Sequence, residues 1–238
     1  MFTNIERLYG KKLDASDGAI GHVKDFYFDD KTWLLRYLVA DTGSWLTGRQ
    51  VLLSPHAFGA HAFRESNDDN ALLVNLTRKQ IENSPSIDLH RPVSRQYEED
   101  YYRYYGWPTY WDAGGMLGLA GFPVVVPPSA LNSPSHHGHN QRDDVHLRST
   151  KAVTGYHIQA TDGPIGSVTS FMVDARTWAI RELVVETGHW YAGKKILVLP
   201  ANVERISYPD STVFVNLTKG DIQQTSTDDV AQVVAAQP

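Results

Sequence analysis

The stretch Asp17-Gly18-Ala19-Ile20-Gly21 recurs 145 positions later as Asp162-Gly163-Pro164-Ile165-Gly166. The same offset holds without a gap to Pro55 and Pro200. It pairs Phe26 with Phe171, Asp29 with Asp174, Thr32-Trp33 with Thr177-Trp178, and Arg36 with Arg181. It goes on to pair Leu38-Val39 with Leu183-Val184, Thr42-Gly43 with Thr187-Gly188, Trp45 with Trp190, and Gly48 with Gly193. Of the 39 aligned positions 18 are identical, too many for chance, so the chain carries a duplicated module. After a loop four residues shorter in the second copy, Val74-Asn75-Leu76-Thr77 matches Val215-Asn216-Leu217-Thr218. A module of roughly 75 residues lies outside the roughly 20–50-residue periods of solenoids, which points to two separate modules.

Within each copy, short β-prone runs alternate with turn chemistry. Asp17-Gly18 and Asp162-Gly163 are hairpin-type dipeptides, because glycine tolerates positive φ and aspartate bonds its own backbone. Strands are expected over 21–28, 33–40, 50–53 and 71–76, and over 178–185, 195–198 and 212–217 in the second copy. Thr77 with Gln80 reads as a capping box opening a short helix, and Thr218 with Asp221 as its counterpart. So many short strands in so few residues predict a small barrel that leaves few unpaired edges.

The Asp-Gly-x-Ile-Gly opening, the Asp-x-x-Thr-Trp hairpin, the Arg-x-Leu-Val strand and the Thr-Gly-x-Trp-x-x-Gly-(Arg/Lys) turn resemble the PRC-barrel family. That family is named for the cytoplasmic domain of the photosynthetic reaction-centre H subunit, and a similar domain occurs in a bacterial ribosome-maturation factor. The resemblance covers about residues 5–87 and 150–224. It implies a compact barrel acting as a protein–protein contact module. The expected fold class is therefore mainly β: two small antiparallel PRC-type β-barrels, each with a short C-terminal helix, joined by a partly helical, aromatic-rich connector. The expected boundaries are module 1 at 1–87, connector at 88–149, module 2 at 150–226 and a flexible tail at 227–238.

The connector differs in composition from both modules. Arg91 to Gly106 reads as a helix stopped by Gly106-Trp107-Pro108, and Tyr97, Tyr101, Tyr104 and Tyr105 fall along one face of it. Six of the twelve tyrosines lie between Tyr97 and Tyr110, beside Trp107 and Trp111. Tyr and Trp dominate binding hot spots, so these residues, with Trp45 and Trp190 on the modules, are the interface candidates. The alternative is a belt that packs on the chain's own modules, and the two roles are compatible. Residues 114–128 are apolar and Gly/Pro-rich, an extended arm or a linker; 129–144 are polar and expected to be flexible.

His136, His137 and His139 are the weak candidates for a metal, but they sit in a Ser/Pro/Asn/Gly-rich stretch without the rigid frame that ligands need, so no metal site is expected. Arg36 with Asp41, and Arg181 with Glu186, are expected to form a structural ion pair or a solvated strand face. No nucleophile elbow, phosphate loop or dinucleotide fingerprint appears, so neither catalytic residues nor a cofactor is expected. The net charge of −5 with no basic block argues against DNA and against a polybasic membrane anchor. There are no cysteines, no signal-peptide pattern, and no apolar run near the roughly 20 residues of a membrane helix, which makes the cytoplasm the expected compartment. The sequence thus points to a non-catalytic interaction or assembly protein with a protein partner or a homodimeric mate. The rival readings are a ligand- or metal-responsive sensor or enzyme at the barrel–connector junction, and an RNA or ribosome-assembly factor.

Overall fold

The computed structural model describes residues 2–59, 71–85, 95–109, 147–191 and 193–223. The chain is mainly β, with two sheets. Both sheets belong to one compact unit, and the described residues 84–85 and 95–109 belong to a second. In the first sheet the order is β5 (Gln50–Leu53), β4 (Leu35–Asp41), β3 (Gly18–Asp29), β2 (Lys12–Ala15), β6 (Ala71–Val74). In the second it is β11 (Lys195–Val198), β10 (Ala179–Thr187), β9 (Gly163–Asp174), β8 (His157–Ala160), β13 (Thr212–Val215), β12 (Val203–Ser207). The duplicated sequence therefore runs through the same path twice. The expected strands at 50–53 and 195–198 stand at those limits, and β2, β8 and β12 are additions.

The sheets are not purely antiparallel. The β2–β6 and β8–β13 pairings are parallel, because the last strand of each copy lies beside the first and runs in the same direction. Among the described residues neither sheet closes on itself by strand pairing. The helix expected after Thr77 is α1 (Arg78–Glu82), with both bonds of the capping box formed. In the second copy Thr218 and Asp221 make the same reciprocal bonds.

The two copies are tied together by exchanged strands. The three-residue β1 (Phe2–Asn4), which precedes the first copy, pairs with β9 of the second: Phe2 lies opposite Asp174, Thr3 opposite Val173 and Asn4 opposite Met172. Its counterpart β7 (Leu147–Ser149) pairs with β3 of the first copy: Leu147 lies opposite Asp29, Arg148 opposite Phe28 and Ser149 opposite Tyr27. The two registers map onto each other under the 145-residue offset, so the exchange is reciprocal and the copies are related as in an isologous dimer. Near the centre of that relation the Leu35 N–H donates to the Trp178 carbonyl at 2.8 Å, and the Ile180 N–H donates to the Trp33 carbonyl at 2.8 Å.

Trp33 and Trp178 were expected at the start of strands. Both instead take left-handed backbone, φ 56° and 59°, just ahead of β4 and β10. A non-glycine residue there costs about 1–3 kcal/mol. The conformation aims each carbonyl at the opposite copy, and ring contacts across the copies offset the cost: Phe28 with Phe171 at 5.7 Å and Phe58 with Trp178 at 5.0 Å. Phe26, Phe28, Tyr37, Leu38 and Phe171 are fully buried in the core.

The Asp-Gly-x-Ile-Gly motif has a steric reason. A Cβ added at Gly21 would sit 1.9 Å from the Asp41 carbonyl oxygen, and one at Gly166 would sit 1.9 Å from that of Glu186. The long strand and its neighbour approach too closely for any side chain. Asp29 and Asp174 act as turn formers: Asp29 Oδ1 accepts from the Lys31 and Thr32 N–H groups, and Asp174 Oδ1 from that of Arg176.

The expected ion pair between Arg36 and Asp41 does not form. Arg36 reaches Asp29 and Arg181 reaches Asp174, each at 3.5 Å, because the turn aspartate lies beside the arginine across the hairpin. Asp41 is instead paired with Lys24 at 3.8 Å.

Gly21→Ala and Gly166→Ala should each destabilise the fold by about 2 kcal/mol or more, read as a fall in Tm; an unchanged Tm contradicts the close approach. The backbone bond from Arg176, helped by Thr177 and Arg181, holds the Asp174 carboxyl below its usual range. A depressed carboxylate stabilises the fold above its unfolded pKa of about 3.9 and loses that contribution as pH falls through the folded value. Asp174→Asn should therefore flatten the drop in Tm below about pH 4; a parallel drop in both proteins contradicts it.

Candidate interaction surface

In the second unit, helix α2 (Arg95–Tyr105) carries four of the nine sequence-selected aromatics, and Trp107 follows it. It ends as expected. Gly106 takes φ 69°, its N–H donates to the Arg103 carbonyl, and the Trp107 N–H donates to the Tyr102 carbonyl. These are the two bonds of a Schellman cap, which only a residue at ease with positive φ completes cheaply. The cap turns Trp107 back onto the helix. Its ring stacks on Tyr105 at 4.5 Å with an interplanar angle of 13°.

From there the rings run continuously. Tyr105 meets Tyr101 at 4.9 Å, and Tyr101 stacks on Tyr97 at 5.9 Å, the i, i+4, i+8 spacing of one helix face. The Tyr97 hydroxyl donates to the Pro85 carbonyl. Tyr101 and Tyr102 are buried, as is Glu98. Tyr104 is 42% exposed and packs edge-on against Tyr105 at 4.8 Å. The structure thus joins Tyr97, Tyr101, Tyr104, Tyr105 and Trp107 in one cluster with a buried base and an exposed edge. Tyr102, which a helical projection sets off that face, joins the buried base.

Trp45 lies partly exposed in the first unit, and Trp190 falls in the short 3₁₀ turn His189–Tyr191. Tyr110, Trp111, His136, His137 and His139 lie outside the described residues. Among the described residues no cluster of three or more His, Cys, Asp or Glu side chains is placed to hold a metal ion, and no helix is long and apolar enough to cross a membrane.

The exchanged strands make a second polar centre that sequence reading missed. Asp25, on β3, accepts from Ser149 Oγ at 2.5 Å, Thr150 Oγ1 at 3.0 Å and the Lys151 N–H at 3.2 Å. It thereby caps the one-turn helix α3 (Thr150–Val153) of the other copy. Thr150 gives its proton to Asp25 or the Phe26 carbonyl, so the Tyr9 hydroxyl, 2.9 Å from Thr150 Oγ1, is the donor there. Burial pushes the Tyr9 phenol well above its ordinary value and keeps that proton on it. Arg148 Nε donates to Asp30 Oδ2 at 2.8 Å while its guanidinium covers the Tyr208 ring.

At the equivalent junction Ser170 Oγ donates to Asn4 Oδ1 at 2.5 Å. The two junctions share geometry and differ in chemistry. Asp25 has no equivalent acid, since Ser170 stands in its place, and that mismatch is why the repeat did not flag it.

No family model matches the chain, and no curated protein matches it.

Asp25→Ala leaves the Ser149 hydroxyl and the Lys151 N–H without this acceptor and Thr150 with the Phe26 carbonyl alone, and should cost about 1–3 kcal/mol in urea unfolding. Asp25→Asn, which keeps one acceptor oxygen, should lose less; equal midpoints for all three proteins contradict the cap.

Proposed function

We propose that the chain is a non-catalytic assembly protein, built from tandem PRC-type barrels, that binds a protein partner through the aromatic edge of α2. The observation that carries this reading is the ring cluster from Tyr97 to Trp107, with Tyr104 exposed on a helix whose end is fixed by its cap. Large rings with few rotatable bonds lose little entropy when a partner covers them, and Tyr and Trp are enriched where binding energy concentrates. The duplicated sequence motifs, and the repeated strand path around them, support the tandem PRC-type reading. A barrel in this role supplies a rigid body and leaves the chemistry of recognition to residues elsewhere in the chain. The absence of cysteine suits a reducing compartment, and we place the protein in the cytoplasm.

Affinity capture from the native host, with the wild-type chain and with Tyr104→Ser, tests the reading. A protein partner should be recovered by the wild type and be depleted about tenfold or more by Tyr104→Ser at unchanged Tm. Equal recovery by both proteins overturns the assignment of the binding edge.

A further inference from the structure

A different surface carries a second, independent inference, drawn from Arg78. This residue opens α1, and its main-chain N–H donates to Asp17 Oδ1 at 2.7 Å. Its side chain runs back across the Asp17-Gly18 turn, where a Cβ on Gly18 would lie 3.5 Å from Arg78 Cδ and 3.7 Å from Nη1. The guanidinium carbon sits 4.7 Å from the centre of the Trp45 ring.

Among the described residues this guanidinium has no ion pair, and its buried Nε has no hydrogen-bond partner. The contrast is with Arg36, Arg148 and Arg181, each of which reaches a carboxylate. Asp17, the acid beside it, directs an oxygen to the main chain instead.

We propose that Trp45 and Arg78 form a docking site for an acidic peptide, with Arg78 taking one carboxylate of a partner segment. The guanidinium is weakly hydrated and planar, its position is set by stacking, and its fork matches a carboxylate through two parallel bonds. Trp45 is held by a well-bonded turn. The Trp45 N–H donates to the Thr42 carbonyl, Gly48 N–H to the Gly43 carbonyl, and Arg49 N–H to the Leu46 carbonyl. Arg49, from the same turn, donates to the Glu82 carbonyl at the far end of α1 and adds a second positive charge.

A single unpaired guanidinium beside an indole fits a singly charged, planar carboxylate with an apolar neighbour. The adjacent Asp17 disfavours a doubly charged phosphate more than a single carboxylate. In the second copy the equivalent turn carries Lys219, whose N–H donates to Asp162 and whose Nζ lies 3.1 Å from where a Gly163 Cβ would be. A lysine offers a point charge without the fork, which assigns the carboxylate site to the first copy.

The test is fluorescence anisotropy on the full chain with a labelled, acetylated and amidated pentapeptide of four glutamates around one phenylalanine. The wild type should bind it, and both Arg78→Gln and Arg78→Lys should weaken binding about tenfold or more, at unchanged Tm. Lys219→Gln and Tyr104→Ser should leave it unchanged, and the latter separates this site from the α2 edge. The all-glutamine peptide should not bind, and inorganic phosphate at matched ionic strength should not compete. If Arg78→Gln is unfolded, Arg78→Lys and Trp45→Phe, which keeps an aromatic face but shrinks the stack, decide the matter by the loss they show. No binding to the wild type, equal binding by the folded Arg78 variants, equal binding of the glutamine peptide, or competition by phosphate each overturns the proposal.

Discussion

The structure depends on one constraint: neither copy of the repeat completes its own sheet. Three residues ahead of each copy, Phe2–Asn4 and Leu147–Ser149, are bonded to the long strand of the other. Two main-chain bonds, from Leu35 to Trp178 and from Ile180 to Trp33, close the relation at its centre. An interface made of main-chain bonds cannot be abandoned cheaply, since each unpaired buried group costs about 1–3 kcal/mol. The strained Trp33 and Trp178 backbones become intelligible in this setting. Each pays a local cost to place a carbonyl where the opposite copy needs an acceptor.

Reciprocity also shows where the two halves diverge. Duplication begins with identical junctions, so a difference between them marks a place free to change. One junction keeps a plain Asn4–Ser170 bond, and the other has Asp25 bonded to Ser149 and Thr150, Thr150 bonded to Tyr9, and a separate Arg148–Asp30 pair. The same divergence appears at the Asp-Gly turns, with Arg78 over one and Lys219 over the other. The repeated motifs maintain the shared frame, and the unmatched side chains distinguish one face from another.

This division explains what the sequence made legible. The long strands, their turns and the capping box follow from motifs whose physics is local: Gly21 for close approach, Asp29 for a turn, Thr77 with Gln80 for a helix start. The exchange was not legible, because Phe2-Thr3-Asn4 and Leu147-Arg148-Ser149 share no residue at the common offset. Strand pairing draws on backbone groups that every residue carries, so composition leaves no trace of it. Arg36 was assigned the wrong partner for a related reason: strand spacing says nothing of the aspartate brought alongside by a turn. The aromatic helix was visible through its spacing and its Gly106 stop, whereas the burial of Tyr102 depends on packing that periodicity does not specify.

Native-state amide hydrogen exchange of Leu35 and Ile180 tests the reciprocal exchange most directly, because each amide bonds to the opposite copy. If the copies form one unit, both amides exchange only through global unfolding, with the same opening free energy as the central strands β3 and β9. Exchange of either amide through a separate, lower-energy opening, with β3 and β9 still protected, would contradict it.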